Sequence, residues 1–317
     1  MINPMLRLLL VFFLPVLCVL ADEQELNAEQ WLEKMSQSMK TLNYQGTVAF
    51  LKNGRLDTMK YSHSKNQGLE QERLLSLNSP MREVIRDAGT VSCVFDESKK
   101  NIVNHQPVSQ SFIIDLPIDF SALNTVYQYT LGAEESVAMR FSRIVYIKPT
   151  DQYRYTRKIW IDNEHFLPLK VEVYNLAGEI LEQLVYTELQ LVDKLDTVKV
   201  GQHIDKRGIK QIHSIETLPV EEMGFVLKDL PAGFEVVFFT RMKIDNSDQT
   251  VDHLLLSDGF SSVSVYREAL SEGVQMGVQD FGSVNSFTRA INNEQITAMG
   301  DVPVKTVQVI AQGFTQR

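Results

Sequence analysis

Residues 71–93 read QERLLSLNSPMREVIRDAGTVSC, two strand-like segments joined by a turn that contains asparagine, serine and proline. Such turn chemistry between two apolar segments predicts an antiparallel hairpin. Because side chains alternate between the two faces of a strand, a shift of one residue would reverse every side chain. The register of this hairpin therefore determines which residues share a face of the sheet.

Two registers of the hairpin differ by one residue. In the first, Glu72 lies opposite Asp87, and like charges directly opposite each other destabilise a strand pair. In the second, Glu72 lies opposite Arg86 and Leu74 lies opposite Val84. We predict the second register, with paired charges on a solvated face, where an exposed ion pair contributes only about 0 to 1 kcal/mol. The apolar residues predicted for the other face are Leu75, Leu77, Met81 and Ile85.

The sequence on both sides of this hairpin also consists of strand-like segments. From residue 44 to residue 191, strand-like segments follow one another with short breaks, and Asn53-Gly54 is a strong hairpin signal. Strands joined so tightly pair antiparallel, because parallel pairing needs long crossovers. Residues 28–42 carry apolar side chains at helical spacing, and Asn27 is placed to cap them. We therefore predict a large curved antiparallel sheet packed against one helix.

Two segments interrupt the strand pattern. Residues 106–124 form a long connection, which predicts either a lid or binding loop or a buried covering segment. Residues 201–218 are polar and mixed in charge, and we place a linker there. Residues 219–317 show further hairpin signals and a helical pattern after Pro303, so they predict a second domain. The fold class is α+β, mostly antiparallel β, with residues 22–200 forming the larger domain.

Residues 1–21 have the composition of a cleavable signal peptide. Arg7 precedes an apolar run, and Ala21 is a small residue suited to signal peptidase. Cleavage after Ala21 would remove Cys18 and leave Cys93, which we expect to be an inert buried thiol without a disulfide partner. A lipoprotein with Cys18 as its acylated residue is the alternative, although a large residue precedes that cysteine. We expect an exported, soluble mature chain.

The charge and the motifs exclude several classes of function. The formal net charge is −9, without a basic stripe, which argues against nucleic acid and against general adhesion to anionic membranes. Six histidines are scattered without metal-ligand spacing, and neither H-E-x-x-H nor C-x-x-C occurs. Ser62 and His63 are strand neighbours and so point to opposite faces. We therefore expect no enzymatic activity, no metal and no cofactor.

Binding is then the leading class of function. A curved sheet can leave part of its concave face uncovered, and an apolar concavity suits a hydrophobic ligand. Any single candidate could equally fill an ordinary core against the helix. The candidate cavity residues are Val48, Phe50, Leu75, Leu77, Ile85, Ile144, Tyr146 and Trp160.

Five stretches are characteristic as a set and occur in both predicted domains. They are WLEKMSQSMKTLNY at 31–44, ERLLSLNSPMREVIR at 72–86, RKIWIDNEHFLPLKVEVYNLAGEILEQ at 157–183, LPAGFEVV at 230–237 and LSDGFSSVSVY at 256–266. In this order they resemble the RseB/MucB family, periplasmic regulators of the sigma-E envelope stress response in Gram-negative bacteria. The resemblance implies a periplasmic protein.

The resemblance also implies a fold and partners. The large domain would be similar to the lipoprotein carrier LolA, a half-open β-barrel with covering helices and a hydrophobic cavity, followed by a smaller C-terminal domain. The chain would bind the periplasmic domain of the membrane-bound anti-sigma factor RseA and protect it from DegS cleavage, which restrains sigma-E. Lipid A of lipopolysaccharide, or the acyl chains of mislocalised lipoproteins, would enter the cavity and release RseA. A homo-oligomer is left open.

No motif of the family carries a catalytic residue over to this chain. We expect Phe260, Tyr266 and Arg267 near the RseA-binding surface, because exposed aromatic and arginine side chains anchor many interfaces. The alternative function is a periplasmic lipid or lipoprotein carrier of LolA type, although a simple carrier has no need of the second domain. A structural envelope scaffold, which would bind neither partner, is a third class.

Overall fold

The structure is a computed structural model that describes residues 25–66, 68–78, 82–87, 90–95, 102–105, 111–195, 217–243 and 249–316. The predicted signal peptide, most of the predicted linker and the side chain of Cys93 lie outside the described residues.

The described part of the N-terminal domain consists of one long helix, a short 3-10 helix and one large sheet. Helix α1 spans Ala28–Thr41, and Asn27 forms the expected capping box with Gln30. A short 3-10 helix, Ser121–Leu123, follows residues 111–120, which we call the covering segment. The strands are β1 Tyr44–Lys52, β2 Arg55–Asn66, β3 Leu69–Ser76, β4 Arg82–Asp87, β5 Thr90–Phe95, β6 Ile102–His105, β7 Tyr127–Val137, β8 Arg140–Pro149, β9 Thr156–Asp162, β10 Pro168–Tyr174 and β11 Ile180–Leu191.

The sheet is antiparallel and open. Its strand order is β6-β5-β4-β3-β2-β1-β11-β10-β9-β8-β7, so the first and last long strands pair in the middle and two meanders extend from them. β6 and β7 form the two edges in the described part of the sheet, and they are not hydrogen-bonded to each other. The expected open antiparallel barrel is confirmed.

The register of the β3–β4 hairpin is confirmed. Glu72 pairs with Arg86 and Leu74 with Val84, as the charge argument predicts. The expected solvated face is wrong for these charges: both side chains are largely buried, and Arg86 Nη1 lies 2.8 Å from Glu72 Oε2. The ion pair faces into the domain because the covering segment and α1 lie over it.

The core of the N-terminal domain lies between α1 and one face of the sheet, which we call the inner face. Leu32 and Met35 of α1 are fully buried, and they belong to the same cluster as Val145, Ile159 and Leu169 of the sheet. An amphipathic helix buries its apolar stripe in this way.

The C-terminal domain is smaller and has its own core. Its helices are the 3-10 helix Val220–Glu222 and helix α2, Val304–Gln312. The strands are β12 Thr217–Leu218, β13 Phe225–Leu227, β14 Glu235–Lys243, β15 Thr250–Ser257, β16 Ser262–Ala269, β17 Gly277–Phe281, β18 Val284–Ile291, β19 Glu294–Gly300 and β20 Phe314–Gln316. Helix α2 packs on one face of a seven-stranded sheet of order β12-β14-β15-β16-β19-β18-β17, and the two further strands, β13 and β20, pair with each other.

Candidate functional site

A cavity of about 510 Å³ lies against the inner face of the large sheet. This volume lies within the range of roughly 300 to 1,000 Å³ that is usual for small-molecule sites. Apolar side chains from six strands form its wall, because residues two apart on a strand share a face. These side chains are Phe50, Met59, Leu74, Val84, Val171, Val173 and Leu184.

A covering segment that begins at Ser111 forms the opposite wall. Ile113, Ile114 and Leu116 of this segment are buried in the core, and its residues 111–115 line the cavity. The Phe112 ring lies 4.6 Å from the guanidinium of Arg86. The described part of residues 106–124 therefore has features of both alternatives, because it buries apolar side chains in the core and also contributes to the cavity wall.

A buried carboxylate ties the covering segment to the sheet. Glu72 accepts hydrogen bonds from the Ser111 hydroxyl at 2.7 Å and the Tyr61 hydroxyl at 2.6 Å, and it is paired with Arg86. Burial raises the pKa of Tyr61 well above its ordinary value, and the negative charge of Glu72 adds to the effect. The phenol therefore stays protonated and remains a donor.

Charged side chains also line the cavity. Glu182 is paired with Lys52, and Arg55 lies 3.3 Å from Asp57. Desolvation raises the pKa of Asp301 to about 6, and the positive charge of Arg157 acts in the opposite direction. The Asp301 side chain is nevertheless 42% exposed. The charged lining residues are Arg55, Asp57, Asp115, Arg157, Glu182 and Asp301, two cations and four acids.

A buried ion pair joins the two domains. Arg154 and Asp258 are both 0% exposed in their side chains, and Arg154 Nε donates to Asp258 Oδ2 at 2.6 Å. The Tyr127 hydroxyl donates to the same oxygen at 2.8 Å. Arg154 also donates to Asp151 and to the carbonyl of Ala232. A buried charge pair with so many partners fixes one relative position of the two domains.

The hairpin between β15 and β16 inserts an aromatic ring into the N-terminal domain. Phe260 is 2% exposed, and its ring centroid lies 5.1 Å from that of Tyr127 and 6.0 Å from that of Phe120. Gly259 has φ +92°, and a Cβ there would lie 2.7 Å from Pro117 Cα. Both the backbone conformation and the close approach of the covering segment therefore require glycine at this position.

Further hydrogen bonds extend the domain contact. Asn285 donates to the Tyr155 hydroxyl at 2.9 Å, and the Thr306 hydroxyl donates to the Tyr153 carbonyl at 2.7 Å. The Asn53 amide, in the predicted β1–β2 turn, donates to the Phe281 carbonyl at 2.7 Å. The cavity, the covering segment and the C-terminal hairpin thus form one continuous site.

Comparison with known proteins identifies the family to which both domains belong. The profile of the MucB/RseB N-terminal domain matches residues 27–204, and that of the MucB/RseB C-terminal domain matches residues 219–315. The chain belongs to the MucB/RseB family.

Relatives in this family are named as regulators of sigma factors. The chain is 24% identical over 301 residues to sigma-E factor regulatory protein RseB of Haemophilus influenzae, and the match covers 94% of each chain. It is 26% identical over 316 residues to sigma factor AlgU regulatory protein MucB of Pseudomonas aeruginosa, covering 95% of each. The MucA/MucB complex of Pseudomonas aeruginosa contains a chain of the same fold, with a TM-score of 0.71, 24% identity and coverage of 92% of this chain and 99% of that chain.

Within this MucB/RseB fold, the predicted cavity residues divide between two faces of the sheet. Phe50 lines the cavity, and Val48 lies in the adjoining core. Three others are placed wrongly: the inner face of β8 and β9 is formed by Val145, Ile147, Ile159 and Ile161, so Ile144, Tyr146 and Trp160 point to the outer face.

The predicted residues of the β3–β4 hairpin are also on the outer face. Leu74 and Val84 line the cavity, so their neighbours Leu75 and Ile85 point away from it. Leu77, which follows β3, is 47% exposed. The prediction that Leu75, Leu77 and Ile85 line the cavity is therefore wrong, because the face that carries the Glu72–Arg86 pair is the inner one.

The three predicted partner-binding residues are not together. Phe260 is buried in the domain contact, so the expectation that it is exposed is wrong. Tyr266 stacks on His253 with a centroid distance of 4.5 Å. Arg267 forms ion pairs with Glu294 and Asp252 at the far end of β16. A role for Tyr266 and Arg267 in partner binding stays a prediction.

Neither a metal centre nor a membrane span is found in the described ranges. No group of three or more His, Cys, Asp or Glu side chains there could hold a metal ion. Among the same residues, no helix has the length and apolar character needed to cross a bilayer.

Proposed function

We propose that this protein is a periplasmic regulator that binds the periplasmic domain of a membrane-bound anti-sigma factor of the RseA type. The observation that carries the proposal is the match of both domains to MucB/RseB profiles, with relatives named as sigma-factor regulators. A crystal structure of MucB in complex with MucA(peri) supports a periplasmic domain of this type as the partner. In this proposal the bound anti-sigma factor is protected from DegS, and sigma-E stays restrained. The signal-like residues 1–21 support the periplasmic location.

We further propose that the inner cavity senses acyl chains. Its wall is apolar on six strands, and each methylene that leaves water for such a wall gains about 0.8 kcal/mol. The ligand would be lipid A of lipopolysaccharide or the acyl chains of a mislocalised lipoprotein. If the lipid weakens the binding of the anti-sigma factor, the anti-sigma factor must weaken the binding of the lipid by the same factor.

A pulldown tests the two parts of the proposal together. The periplasmic segment of the cognate RseA-type protein serves as bait, with and without lipid A. We expect a complex in the absence of lipid A and its loss when lipid A is added. If no complex forms in either condition, the proposed regulatory role is refuted. If the protein binds acyl chains but forms no complex, the alternative function as a LolA-type carrier is favoured.

Two neighbouring leucines provide a matched pair of variants. Leu74→Trp places an indole inside the cavity, whereas Leu75→Trp places the same side chain on the outer face. We expect Leu74→Trp to hold the anti-sigma segment even when lipid A is present, and Leu75→Trp to respond like the natural chain. An equal response of the two variants to lipid A would contradict the cavity as the lipid site.

DegS protection is tested separately. Purified DegS should cleave the periplasmic RseA-type segment more slowly when this protein is present, and lipid A should restore the rate. An unchanged cleavage rate at a saturating concentration of the protein would contradict the protective role.

A further inference from the structure

One side chain belongs both to the cavity wall and to the domain contact. Arg157 of β9 lines the cavity, and its side chain is 5% exposed. Its Nη2 donates to the Phe260 carbonyl at 2.6 Å and to the Ser261 hydroxyl at 3.0 Å, and lies 3.5 Å from Asp301 Oδ2. All three of these partners are in the C-terminal domain. Arg157 is therefore a physical link between the cavity and the hairpin that carries Phe260.

The guanidinium of Arg157 has an unused donor. Its Nη1 is buried and has no hydrogen-bond partner. A buried N–H without an acceptor is unfavourable, and buried polar groups in proteins are nearly always paired. An oxygen atom of a ligand in the adjoining cavity would satisfy this nitrogen after a small movement of the side chain.

The charges around Arg157 favour a neutral acceptor over an anion. Four acids and two arginines line the cavity, and Asp301 already lies beside Arg157. A free carboxylate bound at Arg157 would also lie near Asp301, and like charges brought together in a partly desolvated site repel strongly. An ester or amide carbonyl accepts the same hydrogen bond without that repulsion.

We infer that Arg157 binds the ester or amide carbonyl of an acylated ligand in the cavity, and that this contact competes with its hold on the Phe260 hairpin. The inference rests on the proposed lipid binding and adds to it the recognised group and the route to the C-terminal domain. A ligand that draws the guanidinium into the cavity removes donors from the Phe260 carbonyl and the Ser261 hydroxyl, so lipid binding and domain contact oppose each other.

The first experiment measures recognition of the carbonyl. Binding of 1-monolauroylglycerol and of lauric acid is compared by isothermal titration at pH 7, for the natural chain, Arg157→Lys and Arg157→Gln. We expect the natural chain to bind the ester at least tenfold more tightly than the acid, and Arg157→Gln to lose most of this preference. Equal affinity of the natural chain for the two lipids would overturn the inference. Circular dichroism checks that the variants fold.

The second experiment leaves Arg157 unchanged and so does not depend on the folding of its variants. Lys305 Nζ donates to Gln152 Oε1 across the domain contact at 3.3 Å, and both side chains are exposed. In a background with Cys18→Ser and Cys93→Ser, Gln152→Cys and Lys305→Cys are joined by a short bis-maleimide. We expect the linked chain to bind 1-monolauroylglycerol at least tenfold more weakly than the same chain before linking.

A link inside one domain is the matched control. Asn163 Nδ2 donates to Glu134 Oε1 at 3.1 Å within the N-terminal domain, so Glu134→Cys and Asn163→Cys accept the same reagent. This link should leave lipid affinity unchanged. If the natural chain binds neither lipid, the proposed lipid sensing itself fails. If it binds the ester tightly and the interdomain link has no effect, the competition is refuted while lipid binding stands.

Discussion

Replacing Asp258 by asparagine should weaken the contact between the domains without changing the shape of the side chain. The carboxylate accepts four hydrogen bonds: Oδ1 from the backbone N–H groups of Phe260 and Ser261, and Oδ2 from Arg154 and Tyr127. An asparagine amide has one acceptor and one donor in these positions. Either orientation of the amide therefore places N–H groups against N–H groups.

The size of the effect follows from the bonds that are lost. With the amide nitrogen in the Oδ2 position, Arg154 loses a charged acceptor, whereas the Tyr127 hydroxyl can turn and accept. A hydrogen bond to a charged group contributes about 1.5 to 3 kcal/mol, and breaking one partner of a buried ion pair costs about 3 to 5 kcal/mol. Arg154 keeps Asp151 and the Ala232 carbonyl as partners. We therefore expect a loss of about 3 kcal/mol.

Urea unfolding followed by tryptophan fluorescence reports on one domain only. Trp31 and Trp160 both lie in the N-terminal domain, and the chain has no third tryptophan. Fluorescence thus follows unfolding of that domain in urea, while far-ultraviolet circular dichroism follows both domains. For the natural chain the two transitions should coincide, and for Asp258→Asn they should separate, because the domains no longer stabilise each other. The first transition should shift by about 1 M urea or more.

A double-mutant cycle isolates the ion pair. Arg154→Met keeps an apolar stem between the rings of Tyr127 and Phe234 and removes the charge. We expect the double variant to be less destabilised than the sum of the two single variants, with a coupling of about 2 kcal/mol. Lys305→Ala, which removes an exposed bond across the same contact, should change stability by less than about 0.5 kcal/mol. Additive single effects, or coincident transitions in Asp258→Asn, would refute the reasoning.

Three further outcomes are expected. Burial lowers the pKa of His253 to about 4, so as the pH falls the unfolded chain binds a proton at this histidine before the folded chain does. The free energy of unfolding should therefore fall by up to about 3 kcal/mol between about pH 6.5 and pH 4. In unfolding curves measured across this pH range, His253→Gln should remove that decrease. Gly259→Ala should separate the two unfolding transitions, because of its positive φ and the contact with Pro117, and an unchanged profile would contradict this. Asn27→Ala should cost about 1 kcal/mol in urea, since it removes the cap of α1.

Local charge and turn chemistry were sufficient to predict much of the sheet. The opposition of Glu72 to Arg86 decided the register, because the alternative placed like charges together. Asn53 and Gly54 both have positive φ in the predicted turn. These signals act between residues that are close in sequence, and pairing between successive strands follows from them.

The orientation of the sheet could not be read from the sequence. Ile144 and Val145 are adjacent on β8, point to opposite faces and are both almost fully buried. When both faces of a strand are covered, alternation no longer tells the inner face from the outer one. The assumption that paired charges face solvent then assigned Leu75 and Ile85 to the cavity in place of Leu74 and Val84. A polar network under the covering segment overrides that assumption.

The contact between the domains could not be predicted from the sequence for a different reason. Arg154 and Asp258 are 104 residues apart, and nothing near either of them indicates the other. The sequence marks Phe260 as an aromatic residue in a hairpin, but whether such a ring is exposed or inserted depends on a pocket formed by Phe120, Tyr127 and Tyr129 of the other domain.

The charged and the apolar side chains of the domain contact would behave differently if the two domains separated. Arg154, Asp258 and Tyr127 would regain water if the domains separated, which offsets much of the loss of their mutual bonds. Phe260 would instead expose an apolar ring, at a cost of about 1.5 to 3 kcal/mol. The charges thus fix the geometry of the closed state, while the ring supplies much of the preference for it. If an apolar ligand binds in the cavity as proposed, it would reduce that preference, because the Phe260 ring could contact the ligand on leaving its pocket.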